Sequence, residues 1–260
     1  MYCKKLKCSV LIIAVVLLAT ACKKDSLTNE FADDNATVNV PSNPLDIDPG
    51  KIIDTTKRIV IIGSSTAAGF GASVADSCWA GRLNAKLVRD KKPFKLINLG
   101  KGGYTTFQLM QTGSSPASIR PKPDTNRNVT AALKYNPSLV IINLPTNDIA
   151  LNFRDEEIIS NYRNIIGQIA AKRIEFIITS TQPRNFQLLD QRKRIKILND
   201  KVLAMFPGHV DDYLRKLSSP TWSILKYYSA GDGIHLNNNG HRVIYQTLVD
   251  FPIFKTVVGY

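Results

Sequence analysis

Short apolar segments rich in β-branched residues, separated by stretches with helical spacing, constrain most strongly how this chain can fold. Four such segments read as buried strands: Arg58–Ile62, Phe94–Leu99, Leu139–Leu144 and Ile174–Thr179. A weaker fifth strand is predicted at Val210–Tyr213. Strands this apolar are buried on both faces, as in a parallel sheet that is covered by helices on each side. The pattern therefore predicts an α/β fold, a three-layer α/β/α sandwich around a mostly parallel, five-stranded sheet.

The segments between these strands carry the helical spacing. The predicted helices are Trp79–Val88, Asn128–Tyr135, Asp155–Lys172, Gln187–Phe206 and Gly240–Val249, the last of which closes the chain. Cys78 stands at the start of the first helix and is predicted to be a small packing residue. The fourth helix carries a basic cluster, Arg192, Lys193, Arg194 and Lys196. This cluster is either a solvated face or a contact for anionic lipid or acidic polysaccharide.

The beginning of the chain has the character of an export signal. A basic start is followed by a short apolar run from Val10 to Ala19 and then by small residues. The apolar run is too short to span a bilayer comfortably. Its end, Leu18-Ala19-Thr20-Ala21-Cys22, resembles a bacterial lipoprotein signal, although Ala19 stands where Leu is commoner. An ordinary signal peptide is the alternative.

The lipoprotein resemblance implies that residues 1–21 are removed and that Cys22 is acylated. We expect two acyl chains, because one chain holds a protein at a membrane only marginally. A Cys22→Ala variant is then expected to leave the membrane fraction. The protein is accordingly predicted to be exported and anchored by lipid in the bacterial cell envelope.

Residues 22–56, which begin with the lipidated cysteine, are predicted to form a flexible tether. They are rich in Asp, Asn, Thr, Ser and Pro and have no sustained apolar period. Such a stretch cannot bury enough apolar surface to offset the entropy lost on ordering. Residues 57–260 are long enough for one folded domain with a sizeable core.

The formal net charge of +13 raises nucleic acid as a partner. The basic residues are not concentrated in one tract, however, and no zinc-finger spacing, RNA-binding motif or heptad run accompanies them. Four cysteines without paired spacing also exclude a disulfide framework and a cysteine-ligated zinc site. We therefore predict no nucleic-acid partner, no metal and no cofactor, and we expect a monomer.

Active sites of open parallel sheets lie beyond the carboxyl ends of the strands, which directs attention to the loops there. The loop after the first strand, Gly63–Gly71, places Ser64 and Ser65 on a sharp turn where a nucleophile can be exposed. The loop lacks the Gly-Lys-Ser/Thr ending of a phosphate cradle and the third glycine of a dinucleotide site. Helix capping by these hydroxyls is the alternative for this loop taken alone.

Three further loops carry polar or glycine-rich sequence. Glycines in Asn98–Thr106 allow backbone N–H groups to approach a ligand, and Asn147 offers an amide to developing negative charge. Asp232 and His235 are spaced so that the carboxylate can hold one imidazole nitrogen and leave the other free as a base. Ordinary turns, helix caps and, for the last loop, a zinc site are the alternatives.

The remaining histidines are predicted to have supporting roles. His209 is isolated in the sequence and is predicted to be structural or exposed. His241 opens the last predicted helix, and we expect it to cap a helix or to support the site from behind.

Together and in this order, the four loops resemble the sequence blocks of the GDSL/SGNH hydrolase family, over residues 57–250. The matching blocks are Gly63-Ser64-Ser65, Asn98-Leu99-Gly100-Lys101-Gly102-Gly103, Thr146-Asn147-Asp148 and Asp232-Gly233-Ile234-His235. The resemblance implies a flavodoxin-like fold with Ser65 as nucleophile, His235 as general base and Asp232 as its orienting acid. It also implies an oxyanion hole formed by the backbone N–H groups of Ser65 and Gly103 and by the side chain of Asn147.

Two positions depart from the family pattern. Ser64 replaces the usual Asp of the first block, and Pro145 replaces the usual Gly of the third. Neither matches a catalytic position, so we expect altered loop packing or substrate fit with the chemistry retained.

The resemblance implies a serine esterase that acts on O-acyl esters of small molecules or glycans. The envelope location favours O-acetyl esters on carbohydrate. A lipid-directed lysophospholipase or thioesterase and a weakly active, surface glycan-binding module are the alternatives. Tyr104, Phe107 and Phe153 fall near the site loops, where they form either a sugar platform or part of the core.

Overall fold

The computed structural model describes residues 56–144 and 146–260. Its five strands are β1 Lys57–Gly63, β2 Phe94–Asn98, β3 Leu139–Asn143, β4 Glu175–Thr179 and β5 Val210–Asp211. They form one parallel sheet in the order β2-β1-β3-β4-β5. This arrangement confirms the predicted α/β class and the five strands, and β5 is as weak as its sequence suggests.

Helices connect the strands and continue beyond the last one. They are α1 Trp79–Arg89, α2 Thr106–Leu109, α3 Val129–Leu133, α4 Thr146–Ala150, α5 Asp155–Ala170, α6 Leu189–Met205, α7 Leu214–Leu217, α8 Asn238–Asp250 and α9 Pro252–Val258. Two short 3₁₀ helices lie at Ala75–Ser77 and Lys226–Tyr228. The five predicted helices are confirmed, with ends that differ by at most two residues.

Alternation along the strands divides the core into two layers. In β1, Val60 and Ile62 point to the layer that contains the apolar face of α5. Ile59 and Ile61 point to the opposite layer, with α1, α8 and α9. All four side chains are fully buried, and burial of each contributes roughly 1.5–3 kcal/mol relative to exposure. The sheet is thus covered on both faces, as the apolar strands predict.

The prediction that α8 closes the chain was wrong, because α9 follows it. Phe251 is extended and Pro252 occupies the first turn of α9. Proline cannot continue a helix, yet its fixed φ suits the first position of a new one. Phe254 of α9 is fully buried, so the last helix completes one layer of the core.

Of the two interpretations of three aromatic residues, the structure confirms the core and not the sugar platform. Tyr104, Phe107 and Phe153 are only 5–6% exposed and belong to the core. The rings of Phe107 and Phe153 meet edge to face, with their centroids 5.2 Å apart. They hold α2 and the start of α5 against the sheet.

Several predictions concern residues outside the described ranges. These are the signal segment 1–21, the lipidated Cys22, the tether up to residue 55 and the replacement of glycine by Pro145. They stay predictions. Among the described helices, none combines the length and the apolarity that crossing a lipid bilayer requires.

Candidate active site

The turn after β1 places Ser65 at the carboxyl end of the sheet. Gly63 ends the strand, and a Cβ there would lie 2.6 Å from the backbone oxygen of Asn143 on β3. The Ser64 N–H donates to that same oxygen at 3.2 Å. The chain then turns back on itself, and the Phe70 N–H donates to the Ser65 carbonyl at 2.9 Å. Close contact with β3 thus requires glycine at position 63. It also fixes the point at which the chain leaves the strand and turns into Ser65.

The loop before α8 packs directly on this turn. Gly71 has a φ of +90°, and a Cβ there would lie 2.2 Å from the backbone oxygen of Leu236 and 2.9 Å from the His235 Cβ. Only glycine fits so close an approach at a positive φ. Gly71 therefore brings the two loops into contact.

Ser65, His235 and Asp232 form one hydrogen-bonded chain. The His235 Nε2 lies 3.0 Å from the Ser65 Oγ. The His235 Nδ1 lies 2.5 Å from the Asp232 Oδ2. The structure thus brings together the three side chains to which the sequence assigns catalytic roles.

Asp232 is held as a carboxylate. Its Oδ1 accepts the backbone N–H groups of Ile234 at 2.9 Å and His235 at 2.8 Å. Burial raises the pKa of Asp232, but these N–H donors and the His235 ring outweigh burial and lower the pKa to about 2. An ionised Asp232 accepts the proton on Nδ1, which assigns the His235 tautomer and leaves Nε2 free to accept from Ser65.

The neighbouring Ser64 is arranged differently from Ser65. It is 6% exposed and lines a cavity of about 10 Å³ with Asn143, Thr146 and Gln182. In the described part of the chain, no hydrogen bond joins its Oγ to His235. The geometry therefore distinguishes the two adjacent hydroxyls.

The three expected oxyanion donors line the same edge of the sheet. Gly103 is exposed in the loop after β2, with a φ of +82°. Asn147 is half-buried on α4, and its Nδ2 donates one hydrogen to the Tyr104 carbonyl at 2.9 Å. Within the described ranges, the N–H groups of Ser65 and Gly103 donate no hydrogen bond. These two N–H groups and the second Nδ2 hydrogen of Asn147 are thus available to a ligand.

A buried carboxyl group fixes α4 against α2. Asp148 accepts the Thr106 Oγ1 hydrogen at 2.6 Å and the Thr106 N–H at 3.0 and 3.1 Å. Burial raises the pKa of Asp148 to about 7, although these hydrogen bonds oppose the rise. Since Asn147 precedes Asp148, this contact fixes the position of Asn147 relative to the loop after β2.

The loop after β4 supports the site, and the sequence analysis did not find it. Gln182 is buried; its Oε1 accepts from the Thr66 hydroxyl, and its Nε2 donates to the Ile234 carbonyl at 2.7 Å. Gln182 thereby joins the residue after Ser65 to the residue before His235. The position at a strand's carboxyl end was a usable signal, but Gln182 matches no catalytic pattern by itself.

Arg184, two residues further along the same loop, also reaches the site. Its Nη1 donates to the Asn147 Oδ1 at 3.3 Å. Together with the bond to Tyr104, this contact fixes which side of the Asn147 amide is nitrogen.

His241 caps a helix, which is one of the two roles predicted for it. It is fully buried, and its Nε2 donates to the Phe70 carbonyl at 2.9 Å while its Nδ1 accepts the Trp79 N–H at 3.4 Å. It therefore caps α1, not the helix that carries it. Burial lowers the pKa of His241 to about 4. His209 is structural: its ring stacks on Phe176, with the centroids 4.1 Å apart.

No group of three or more His, Cys, Asp or Glu side chains within the described ranges is arranged to hold a metal ion.

The chain matches one protein family and many solved structures. The model of the GDSL-like Lipase/Acylhydrolase family matches residues 61–243. No curated protein is significantly similar in sequence.

Three solved structures illustrate the likeness. The lipase Lip_vut3 from a goat rumen metagenome is 16% identical, with a TM-score of 0.59, and 76% of this chain covers 98% of that one. A GDSL-like lipase from Bacteroides thetaiotaomicron VPI-5482 is 18% identical, with a TM-score of 0.56 and coverage of 79% and 90%. A carbohydrate acetylesterase family member from Sinorhizobium meliloti is 16% identical, with a TM-score of 0.51 and coverage of 78% and 100%. At these identities the likeness concerns the fold.

Proposed function

The chain belongs to the GDSL-like lipase/acylhydrolase family and is a carboxylic ester hydrolase, and we propose that it cleaves O-acetyl esters of carbohydrate with Ser65 as its nucleophile. The observation that carries the nucleophile assignment is the hydrogen-bonded chain from Ser65 through His235 to Asp232. A hydroxyl is a weak nucleophile unless an adjacent base takes its proton, and the His235 Nε2 lies within reach of that proton.

The reaction proceeds in two halves. The Ser65 Oγ attacks the ester carbonyl carbon while its proton passes to the His235 Nε2. The resulting imidazolium, stabilised by the Asp232 carboxylate, returns the proton to the leaving alcohol as the C–O bond breaks. His235 then takes a proton from water as that water attacks the acyl carbon. The imidazolium passes this proton to the Ser65 Oγ as the acyl C–O bond breaks, which releases the acid and free Ser65.

The negative charge of each tetrahedral intermediate falls on the former carbonyl oxygen. The N–H groups of Ser65 and Gly103 and the Nδ2 of Asn147 are the donors proposed to stabilise that oxygen. Losing one such donor typically costs about 3–4 kcal/mol of transition-state stabilisation. Donors fixed before the reaction act at no further cost of reorganisation, and the contacts of Asp148 and Arg184 provide that fixation for the Asn147 amide.

An exposed aromatic ring beside the site supports the carbohydrate assignment. Phe70 is 53% exposed, and its ring centroid lies 5.6 Å from that of His235. A Cβ on Gly102 would lie 3.4 Å from the Phe70 ring, so the loop after β2 passes close to it. An exposed aromatic face at this position suits stacking on the apolar face of a sugar. The carbohydrate acetylesterase among the structural neighbours agrees with this choice.

A series of p-nitrophenyl esters tests the acyl part of the substrate. We expect kcat/KM to be highest for acetate and to fall as the acyl chain grows. A preference for octanoate or longer chains would instead assign the protein to lipid-directed acylhydrolases. Rates of the Ser65→Ala variant, measured on each ester, supply the background that must be subtracted.

A further inference from the structure

Arg184 places a positive charge next to the proposed oxyanion hole. Its guanidinium donates to the Oδ1 of Asn147, the residue whose Nδ2 is one of the proposed oxyanion donors. The side chain lies over the ring of Phe186, with its Cζ 5.1 Å from the centroid. Phe186 thus supports the guanidinium on one face and limits how far it can swing.

This guanidinium has donors to spare. It carries five N–H groups, and among the described residues its hydrogen-bonded partner is the single acceptor on Asn147. No carboxylate in those ranges lies within ion-pair distance of it. Asp232 attracts it only at longer range.

The half-buried position of the Arg184 guanidinium is energetically unfavourable for a charge that has no oppositely charged partner. Arg184 is half-buried, and burial lowers its pKa against the weaker opposing effect of Asp232. Placing a guanidinium away from water without a carboxylate is unfavourable. Of the other half-buried arginines, Arg120 and Arg194 have such a partner in Glu157 and Asp155. Arg82, Arg127 and Arg192 donate to backbone carbonyls instead. Within the described ranges, the Arg184 guanidinium has neither kind of partner.

We propose that Arg184 forms a subsite for a carboxylate carried by the alcohol part of the substrate, as in an acetylated uronic acid. This inference rests on the proposed function. Guanidinium and carboxylate form paired, charge-assisted hydrogen bonds that no neutral group matches. The acetyl group is small and carries no charge, so the carboxylate that binds Arg184 must belong to the alcohol part of the ester.

The spacing fits one sugar unit. The oxyanion, the Asn147 amide and the Arg184 guanidinium follow one another, so the free donors are at most roughly 11 Å from the oxyanion, given ordinary hydrogen-bond lengths and the widths of the two groups. A carboxylate on the same sugar ring as the ester lies within that range. The formal net charge of +13, which falls to +10 if Lys4, Lys5 and Lys7 leave with the predicted signal segment, also favours the approach of an acidic substrate.

A matched pair of esters tests the subsite. The esters are 3-carboxyphenyl acetate and 3-carbamoylphenyl acetate, which have nearly the same shape and differ in charge; the 4-substituted pair covers a second direction. For wild type, Arg184→Gln and Arg184→Lys, the measured quantity is kcat/KM of the charged ester divided by that of the uncharged ester. Comparing this ratio between proteins cancels the intrinsic reactivity of each ester.

We expect Arg184→Gln to lower the ratio by about 10- to 100-fold, mainly through KM of the charged ester, as charge-assisted hydrogen bonds of about 1.5–3 kcal/mol imply. Arg184→Lys keeps the charge but not the paired geometry, so it should lower the ratio less. Arg163→Gln removes an exposed arginine of α5 and controls for the change in net charge.

An unchanged ratio in Arg184→Gln overturns the inference. If kcat of both esters falls equally, Arg184 only holds the Asn147 amide. If neither rate changes, Arg184 does not act in the reaction. A fall of the same size in Arg163→Gln also overturns it, since net charge then explains the effect. The proposed function fails separately, if Ser65→Ala hydrolyses the uncharged ester as fast as wild type does.

Discussion

The Oγ of Ser65 and the Nε2 of His235 lie 3.0 Å apart although 170 residues separate them in the sequence. Neither residue belongs to a strand or a helix. The distance between them is set by contacts between their loops, namely the close approach of Gly71 to His235 and the bridge that Gln182 makes. These contacts lead to specific expectations.

Gln182 is expected to act as a positioning residue. Gln182→Leu removes both hydrogen bonds that join the two loops, each worth about 0.5–1.5 kcal/mol. We expect kcat on p-nitrophenyl acetate to fall about 10- to 100-fold with little change in KM, because the Ser65–His235 distance is no longer fixed. Gln182→Glu, which can still accept from Thr66, should recover part of the loss.

Gln187→Leu is the matched control, since this exposed residue follows in the same loop. A purely structural Gln182 would give a different result. The midpoint of thermal unfolding would fall in Gln182→Leu, while kcat per folded molecule would stay at the wild-type value.

Asp232 is expected to matter through the tautomer of His235. In Asp232→Asn, the amide oxygen can still accept the backbone N–H groups, but the amide nitrogen then faces the His235 Nδ1. The imidazole proton is therefore favoured on Nε2, where it blocks acceptance from Ser65, and kcat should fall by up to about 10⁴-fold. Because the pKa of Asp232 is about 2, its charge persists in wild type throughout the pH range of an ordinary assay. Steady-state kinetics at pH 7 measures the effect, with the exposed Asp76→Asn as control, and a loss below tenfold contradicts this role.

His241 should make stability depend on pH between about 4 and 6.5. Its pKa is about 4 in the folded protein and about 6.5 in an unfolded chain. The unfolded chain binds more protons in this window, so the free energy of unfolding falls as the pH is lowered through it. The full contribution, on the order of 3 kcal/mol, is present above pH 6.5.

Comparison with His241→Gln isolates that contribution. Asp148 and Asp211, whose pKa values burial raises to about 7, change stability in the opposite direction, but they do so in both proteins. Urea unfolding at pH 7 and pH 4 should therefore show the stability difference between wild type and variant shrinking as the pH falls. Parallel curves would mean that His241 is not held neutral.

The sequence predicted the strands and the catalytic candidates because both depend on local signals. Apolar runs such as Leu139–Asn143 are buried throughout, and the blocks around Ser65 and His235 keep a recognisable order along the chain. Gln182 and Arg184 carried no such signal. Their partners are a backbone carbonyl and an amide more than 30 residues away, so their roles depend on how the loops pack. For the same reason the sequence did not distinguish a sugar platform from the core for Phe107 and Phe153, because their burial depends on how the loops pack.

The central claim, that Ser65 is the nucleophile, is tested most directly by hydrolysis of p-nitrophenyl acetate by Ser65→Ala beside Ser64→Ala. The two hydroxyls are adjacent in the sequence, but only Ser65 lies within hydrogen-bond distance of His235 in the described structure. With circular dichroism showing both variants folded, we expect Ser65→Ala to lose hydrolysis and Ser64→Ala to keep most of it. Wild-type turnover in Ser65→Ala, or loss of turnover in Ser64→Ala alone, would contradict the account.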